Sequence, residues 1–405
     1  MLTIALVGKT NVGKTTFFNA ATLLDAKVSN YSFTTTEPNI GIAYASDVCV
    51  CRELGLRDNP QESSCIDGWR YVPIRLIDIP GLIKDASSGR GLGNKFLSAI
   101  GQADALMHVV DASGSVDEEG KITQPGAGNP IQDVLDIELE IEKWMTDIIK
   151  ENSVLITRES ARMPLEEALA LAIAGVKVKT SKIKEAISAS GLEDRSFEKW
   201  SNGDKAQFVR VLLPIAKPTM IVANKMDLYL AEENLEKLYR YFSNGLVTAC
   251  SAEAELALRR AQRSGLLQYT PGSEKFTVTP GAKLTLEQSK ALEYVDQMVM
   301  AKWLRTGIQQ ALNVVVFKLL KMNMIYPVYD EHNFSDKHGN ILPHALLLPE
   351  GSTPLDLAAE IHTRLVDQYT LAIDAKTGVR LPKDYKLRHR DVVKIMTQPR
   401  AVKQQ

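Results

Sequence analysis

Cysteine is scarce, with four in 405 residues, which leaves no disulfide framework. Cys49, Cys51 and Cys65 lie close in sequence, but no fourth ligand follows at zinc-finger spacing, so they are expected as reduced thiols and not as a metal centre. No apolar run approaches the ~18 to 20 residues that a spanning helix requires, so no membrane partner is expected. Residues Met1 to Gly8 lack a basic n-region and a cleavage site, read as a strand rather than an export signal, and give a cytoplasmic expectation. Neither sign of charge is in excess: 48 basic against 49 acidic side chains mean that any footprint for a polyanion must be local. What is present, 45% hydrophobic and 24% charged residues, is the make-up of a folded protein long enough for two or three domains.

The apolar run Leu2 to Val7 ends in glycine and is followed from Thr15 by helical character. Further buried-strand candidates are Arg75 to Ile79 and Ala105 to Val110, each with an aspartate at its end, and Thr219 to Ala223, which runs into Asn224. Strands alternating with helices predict an α/β fold, a doubly wound and mostly parallel sheet with its site along the strand ends. Between these strands the period changes. Val134, Ile137, Ile141, Met145 and Ile148 recur at helical spacing, and Leu165, Ala168, Leu169 and Ala172 form a second stripe. Residues 130–212 are therefore expected as a helical hairpin or coiled-coil insertion, projecting rather than lying on the sheet, within a core domain of residues 1–129 and 213–312. After Asn313 the pattern turns β-like at Val314 to Phe317, Ile325 to Tyr329 and Leu346 to Leu348, with one helix around Leu355 to Val366. This predicts a small α+β domain over 313–405. Its end gathers Lys376, Arg380, Lys383, Lys386, Arg388, Arg390 and Lys394 against Asp384 and Asp391, a local excess that can meet phosphates or simply be solvated.

Gly8-Lys9-Thr10-Asn11-Val12-Gly13-Lys14-Thr15 fits the phosphate-loop pattern between a strand and a helix. Its glycines let backbone N–H groups of Asn11, Val12, Gly13 and the helix start, through Thr16, face phosphate oxygens. Lys14 reaches the β and γ oxygens and the Thr15 hydroxyl can ligate Mg²⁺. Asp78-Ile79-Pro80-Gly81 offers a carboxylate for Mg²⁺ and, at Gly81, an N–H for the γ-phosphate. Gly89, Gly91 and Gly93 beyond it permit a backbone that reorders when that phosphate leaves. Asn224-Lys225-Met226-Asp227 ends the fourth strand, where the Asp227 carboxylate can accept from N1 and N2 of guanine, donors that adenine lacks. Ser251-Ala252 would add an N–H for the guanine O6. The order of these motifs at strand ends predicts a GTP- and GDP-binding switch that hydrolyses GTP.

With these words in place the chain resembles the Obg-like GTPases, and among them the YchF subfamily. The resemblance rests also on Tyr31-Ser32-Phe33-Thr34-Thr35-Thr36-Glu37-Pro38-Asn39, on Leu82-Ile83 after Gly81, and on Gly91-Leu92-Gly93-Asn94-Lys95-Phe96-Leu97, and it spans nearly the whole chain. It implies that Thr35, with Thr34 and Thr36 beside it, ligates Mg²⁺. It further implies that Asn11 helps to coordinate an activating K⁺, and that residues 313–405 resemble a TGS domain, hence contact with the ribosome or its RNA in translation or stress regulation. Leu82, where Ras-like proteins carry a water-orienting glutamine, cannot orient the attacking water, so intrinsic hydrolysis is expected to be slow. Many YchF proteins alter Asn-Lys-x-Asp and are associated with ATP. Lys225 and Asp227 keep the guanine-reading form here. An ATPase of the same fold, and an RNA-binding protein in which nucleotide is a static ligand, are the other readings. A monomer is favoured.

Overall fold

The computed structural model describes residues 1–22, 38–79 and 99–398. The chain divides into two compact units, Met1–Ala43 with Arg75–Ala311, and Tyr44–Ile74 with Leu312–Gln405.

Strands β1 (Thr3–Val7), β2 (Asn39–Val48), β3 (Ser64–Ile66), β4 (Trp69–Asp78), β5 (Ala105–Asp111), β6 (Thr219–Asn224) and β7 (Val247–Ala249) form one sheet. Its order is β2-β4-β1-β5-β6-β7, with β3 on β4. The pairings of β1 with β4 and β5, of β5 with β6 and of β6 with β7 are parallel. Every residue of β1 and β5 is buried, which is why both read as unbroken apolar runs. The registers Leu6↔Asp78, Val7↔His108 and Asp111↔Asn224 bring Gly8, Asp78, Asp111 and Asn224 to one edge, the carboxyl ends of the strands. A short hairpin, β8 (Leu267–Gln268) with β9 (Thr277–Val278), follows β7.

The stretch between β5 and β6 holds helices Pro130–Glu151, Ser153–Ser160, Leu165–Ala172, Thr180–Ala189 and Asn202–Ala216. The first starts at Asn129, whose side chain accepts from the N–H of Ile131 at 3.1 Å, with Pro130 at the first helical position. The last starts at a capping box of Ser201 and Asp204. The stripe along Pro130–Glu151 has two partners. Ile137 and Ile141 pack on Ala5, Val7 and Ile77 of the sheet, whereas Met145 and Ile149 enter a separate core with Ile156, Leu169, Ile183, Phe208 and Leu212. One half of this helix thus packs on the sheet and the other in the core of the inserted helices. Arg210 clamps Glu142 at 2.7 Å across the pair of long helices.

In the second unit, β10 (Met322–Val328), β11 (Leu346–Pro349), β12 (Tyr369–Asp374), β13 (Arg380–Leu381) and β14 (Val392–Thr397) form a sheet ordered β11-β10-β14-β12-β13. Two expectations need correction. Val314 to Phe317 is helical, the π-type turn Val314–Leu319 that continues helix Ile308–Asn313. No glycine or proline interrupts the chain there, and a short run of buried β-branched residues carries no periodicity that separates strand from helix. The helix expected over Leu355 to Val366 is two, Pro354–Ile361 and Thr363–Asp367. They divide at His362, whose extended backbone (φ −168, ψ 130) lets its ring accept from the Arg364 N–H at 3.1 Å.

Candidate nucleotide-binding site

The phosphate loop leaves β1 at Gly8 and enters helix Lys14–Thr22. Gly8 has φ 144 and Gly13 φ 97, and neither tolerates a side chain. A Cβ on Gly8 would stand 2.3 Å from Val109 O, and one on Gly13 2.2 Å from Asn224 Nδ2. The loop is thereby pressed against β5 and β6. Asn11, also left-handed at φ 62, donates from its side-chain amide to Gly120 O at 2.9 Å. Val12 is fully buried, and Thr16, the third residue of the helix, lies half-buried.

Lys14 is buried and donates to Lys9 O at 2.7 Å, so its ammonium rests on the loop's own backbone rather than on a carboxylate. Burial lowers its pKa to about 8, with Asp78 opposing the shift. Asp78 accepts through Oδ2 from the Thr15 hydroxyl at 2.7 Å and from Asn39 Nδ2 at 3.3 Å. Burial raises its pKa against the Thr15 hydrogen bond and the Lys14 charge. Its other oxygen, Oδ1, is buried with no hydrogen-bond partner among the described residues. A desolvated ammonium and a desolvated carboxylate, both shifted toward neutrality, suit a site completed by an anion for the first and a cation for the second.

The pKa of Lys14 gives a signed expectation. Phosphate oxygens favour the charged amine, so binding raises its pKa and takes up a proton wherever the free amine has lost one. Affinity for GDP should be full below pH 8 and fall by about tenfold between pH 7 and pH 9. Lys14→Arg, which keeps its charge, should flatten the profile in a fluorescence titration. A wild-type profile as flat as that of the arginine variant would contradict the assignment.

Asn224 joins the two halves of the site. Its Nδ2 donates to Val12 O at 2.9 Å and its Oδ1 accepts from the Ala252 N–H at 3.0 Å, so one side chain ties the phosphate loop to the Ser251-Ala252 turn. The Ala252 N–H, expected to face a base oxygen, is given to Asn224 here. Ser251 donates its N–H to Thr306 O at 2.8 Å, while its hydroxyl oxygen is buried without a partner among the described residues. Lys225, left-handed at φ 64, reaches Asp111 Oδ2 at 2.8 Å and Ser115 Oγ at 3.2 Å. The half-buried Asp227 receives the Tyr294 hydroxyl, at 3.1 Å on its carbonyl and 3.4 Å on Oδ2. Thr35 and Gly81, together with Thr34, Thr36, Leu82, Gly89, Gly91 and Gly93, lie outside the described residues.

Several of these partners were not expected. Lys9 Nζ meets Asp133 Oδ1 at 2.6 Å and ties the phosphate loop to helix Pro130–Glu151. Asn39 and Asp111 lie in stretches of sequence that do not point to these partners, and Tyr294 belongs to no motif. Because the Tyr294 hydroxyl occupies the carboxylate that a base would use, Tyr294→Phe should tighten GDP binding about three- to fivefold, the effect of removing one competing hydrogen bond. An unchanged or weaker affinity in a direct titration would show that Tyr294 does not compete.

In the second unit the basic excess is partly spent. Glu53 pairs with Lys376 at 2.9 Å and with Arg390 at 2.8 Å, and Lys394 pairs with Glu331. Arg380, Lys383, Lys386 and Arg388 stand exposed. Arg388 lies over the Tyr385 ring at 6.0 Å. No helix among the described residues is long and apolar enough to cross a membrane.

Three family models match the chain. One described as a 50S ribosome-binding GTPase covers residues 3–156, one described as "Obg-like GTPase YGR210-like, G4 motif-containing domain" covers 222–330, and a TGS domain covers 332–397. A GTP-binding protein of Methanocaldococcus jannaschii is 42% identical over 398 residues, 98% of this chain and 99% of that one. The ribosome-binding ATPase YchF of Bacillus subtilis is 32% identical over 316 residues, 76% of each. The crystal structure of a GTP binding protein from Pyrococcus horikoshii OT3 superposes with a TM-score of 0.78 at 34% identity, covering 98% of this chain and 100% of that one. The Schizosaccharomyces pombe YchF GTPase shares the fold, with a TM-score of 0.55 at 17% identity over 98% and 97% of the two chains.

Proposed function

The chain belongs to the Obg-like GTPases, on their YchF-like side, and from that premise we propose that it is a GTP-hydrolysing switch that engages the ribosome or its RNA. The reading is carried by one observation. Asn224 holds Val12 O with one end and the Ala252 N–H with the other, so the phosphate loop and the Asn224-to-Asp227 segment form a single edge. Lys14 would exchange Lys9 O for the β and γ oxygens and stabilise charge on the transferring phosphoryl group. Water attacks the γ-phosphorus, the bond to the bridging oxygen breaks, and GDP and phosphate are released. Asp227 would accept from N1 and N2 of guanine, and the fit of Ser251-Ala252 beside the base depends on how Asn224 shares the Ala252 N–H.

Mg²⁺ would be held by the Thr15 hydroxyl and Asp78, with Thr35 as a further ligand. The hard oxygen donors and the orphaned Asp78 Oδ1 support the fit. Bound there, the ion supplies positive charge to the phosphate oxygens. Thr35 and Gly81 would grip the γ-phosphate and let go after cleavage. Asn11 commits its amide nitrogen to Gly120 O, which leaves the oxygen as the atom that would meet K⁺. Arg380, Lys383, Lys386 and Arg388 are exposed cations that would meet phosphates of RNA.

The test is turnover of GTP and ATP side by side, in K⁺ and in Na⁺, with and without ribosomal subunits, together with co-sedimentation in GDP or a non-hydrolysable GTP analogue. The expected result is slow GTP turnover that K⁺ and ribosomes accelerate, and sedimentation favoured by the analogue. Alanine at the four exposed cations should weaken sedimentation. No turnover under any condition, with RNA affinity indifferent to the γ-phosphate, would make nucleotide a static ligand. Equal rates in K⁺ and Na⁺ would remove the ion from Asn11.

A further inference from the structure

Cys49, Cys51 and Cys65, expected from their spacing as reduced thiols, converge in the second unit. Cys49 ends the loop after β2, Cys51 lies in helix Val50–Leu54 and Cys65 sits in β3. The β3–β4 hairpin turns through Asp67 (φ 51) and Gly68 (φ 74), the Asp-Gly pair that a tight two-residue turn demands, and sets Cys65 opposite Arg70. A fourth group joins them from the intervening loop. The three sulfurs and a carboxylate oxygen of Asp58 all lie within 4.8 Å of one another. Asp58 was invisible to a search for cysteine or histidine at finger spacing, because the series is Cys-x-Cys, six residues, Asp, six residues, Cys.

Two of the separations are close to those of a tetrahedral coordination shell. Cys51 Sγ and Cys65 Sγ are 3.8 Å apart, and Cys49 Sγ is 3.3 Å from Asp58 Oδ2. A tetrahedron with metal–sulfur bonds of about 2.3 Å and a metal–oxygen bond of about 2.0 Å has edges of about 3.8 Å between sulfurs and about 3.5 Å between sulfur and oxygen. Cys49 and Cys51 are buried and Cys65 and Asp58 half-buried, so the centre is closed to solvent exchange on most sides. The surroundings suit an anionic cluster. Arg70, fully buried, donates to the same Asp58 Oδ2 at 2.7 Å, and is itself fixed by Ser63 Oγ and Leu342 O at 2.9 Å. Four anionic ligands around a dication leave two negative charges, and Arg70 meets one of them from the outer shell, the usual way a ligating carboxylate is oriented. The loop that carries Asp58 is pinned by the N–H groups of Asn59 and Gln61 on Ile341 O and Pro343 O at 2.8 and 2.9 Å.

We infer that Cys49, Cys51, Asp58 and Cys65 bind one tetrahedral, thiolate-seeking divalent ion of the zinc class, which cross-links the helix, loop and strand of residues 49–66 to one another. Three soft sulfurs exclude Mg²⁺ and Ca²⁺, and four protein ligands leave no open position, so the ion is structural. Each thiol releases its proton to solvent as it ligates, and no redox change is involved.

The test uses the full-length chain with Mg²⁺ and GDP present, so that the phosphate site is already filled. Protein from zinc-supplemented cells, dialysed without chelator, should carry about one zinc per chain by plasma mass spectrometry. Cys65→Ser and Asp58→Asn should each lower that at least tenfold after brief chelation. Should the variants fail to fold, the wild type settles the matter: reconstituted with Co²⁺ under reductant, it should show thiolate-to-cobalt charge-transfer absorption with tetrahedral d–d bands. Wild-type protein without zinc and without those bands overturns the site. So does zinc retained in both variants, or alkylation and mass analysis that finds two of the cysteines in a disulfide in freshly purified protein.

Discussion

Lys14→Ala should lower single-turnover GTP cleavage, measured at saturating nucleotide, by about a hundredfold to a thousandfold, the range found when one preorganised donor to a developing oxyanion is removed. The size of the effect follows from where the amine sits. Its Nζ is buried and donates to Lys9 O, with no carboxylate hydrogen-bonded to it among the described residues, and burial has already lowered its pKa to about 8 against the Asp78 charge. A charge held in that state interacts more strongly with a phosphate anion than with the neutral Lys9 carbonyl. The same reasoning predicts that the variant is no less stable than the parent without nucleotide, because a desolvated ammonium contributes little to folding. A melting temperature held or raised alongside lost cleavage separates this account from simple unfolding. A cleavage rate within a few-fold of wild type would remove Lys14 from the transition state.

Asp227→Asn should weaken GDP by about a hundredfold or more. Two hydrogen bonds from N1 and N2 end on its carboxylate, each charge-assisted and each worth about 1.5 to 3 kcal/mol. The variant should also gain xanthosine diphosphate as a ligand. Xanthine keeps the N1 donor but offers an oxygen at C2, which an asparagine amide can satisfy with its oxygen and its nitrogen together. The comparison is internal to one variant, so a general loss of folding cannot imitate it. Tyr294 modulates the size of the effect through its hold on Asp227 but not its direction. If both purine diphosphates weaken in parallel, Asp227 does not read the base.

Sequence made legible those parts of the site whose chemistry is contiguous. Gly8 to Thr15 and Asn224 to Asp227 declare themselves because glycine, lysine and aspartate must stand at fixed offsets along one turn. Asp78 was legible because it ends a buried strand. The cross-links were not legible. Lys9 finds Asp133 across 124 positions and Tyr294 finds Asp227 across 67, and neither partner belongs to a local pattern. The double role of Asn224, holding Val12 O and the Ala252 N–H at once, depends on the spacing of β6 against the phosphate loop, a distance that no single segment encodes. The fold shows the same division. β1 and β5 announced themselves as continuous apolar runs, because buried parallel strands need apolar residues on both faces. Val314 to Phe317 misled for the same reason, since the apolar run that suits a buried strand also suits a buried helical turn. The helical stripe Val134 to Ile148 was evident, while its division between sheet and insertion core depended on neighbours far along the chain.

The central claim is that one edge of one sheet holds a triphosphate at the loop after β1 and selects its purine at the end of β6. It is tested most directly by a competition titration of the wild-type chain in Mg²⁺ with a fluorescent guanine diphosphate displaced by GTP or by ATP. GTP should displace the probe at concentrations at least about a hundredfold lower than ATP, as expected where a paired carboxylate rejects a base without its donors. Equal displacement by the two nucleotides would contradict the claim.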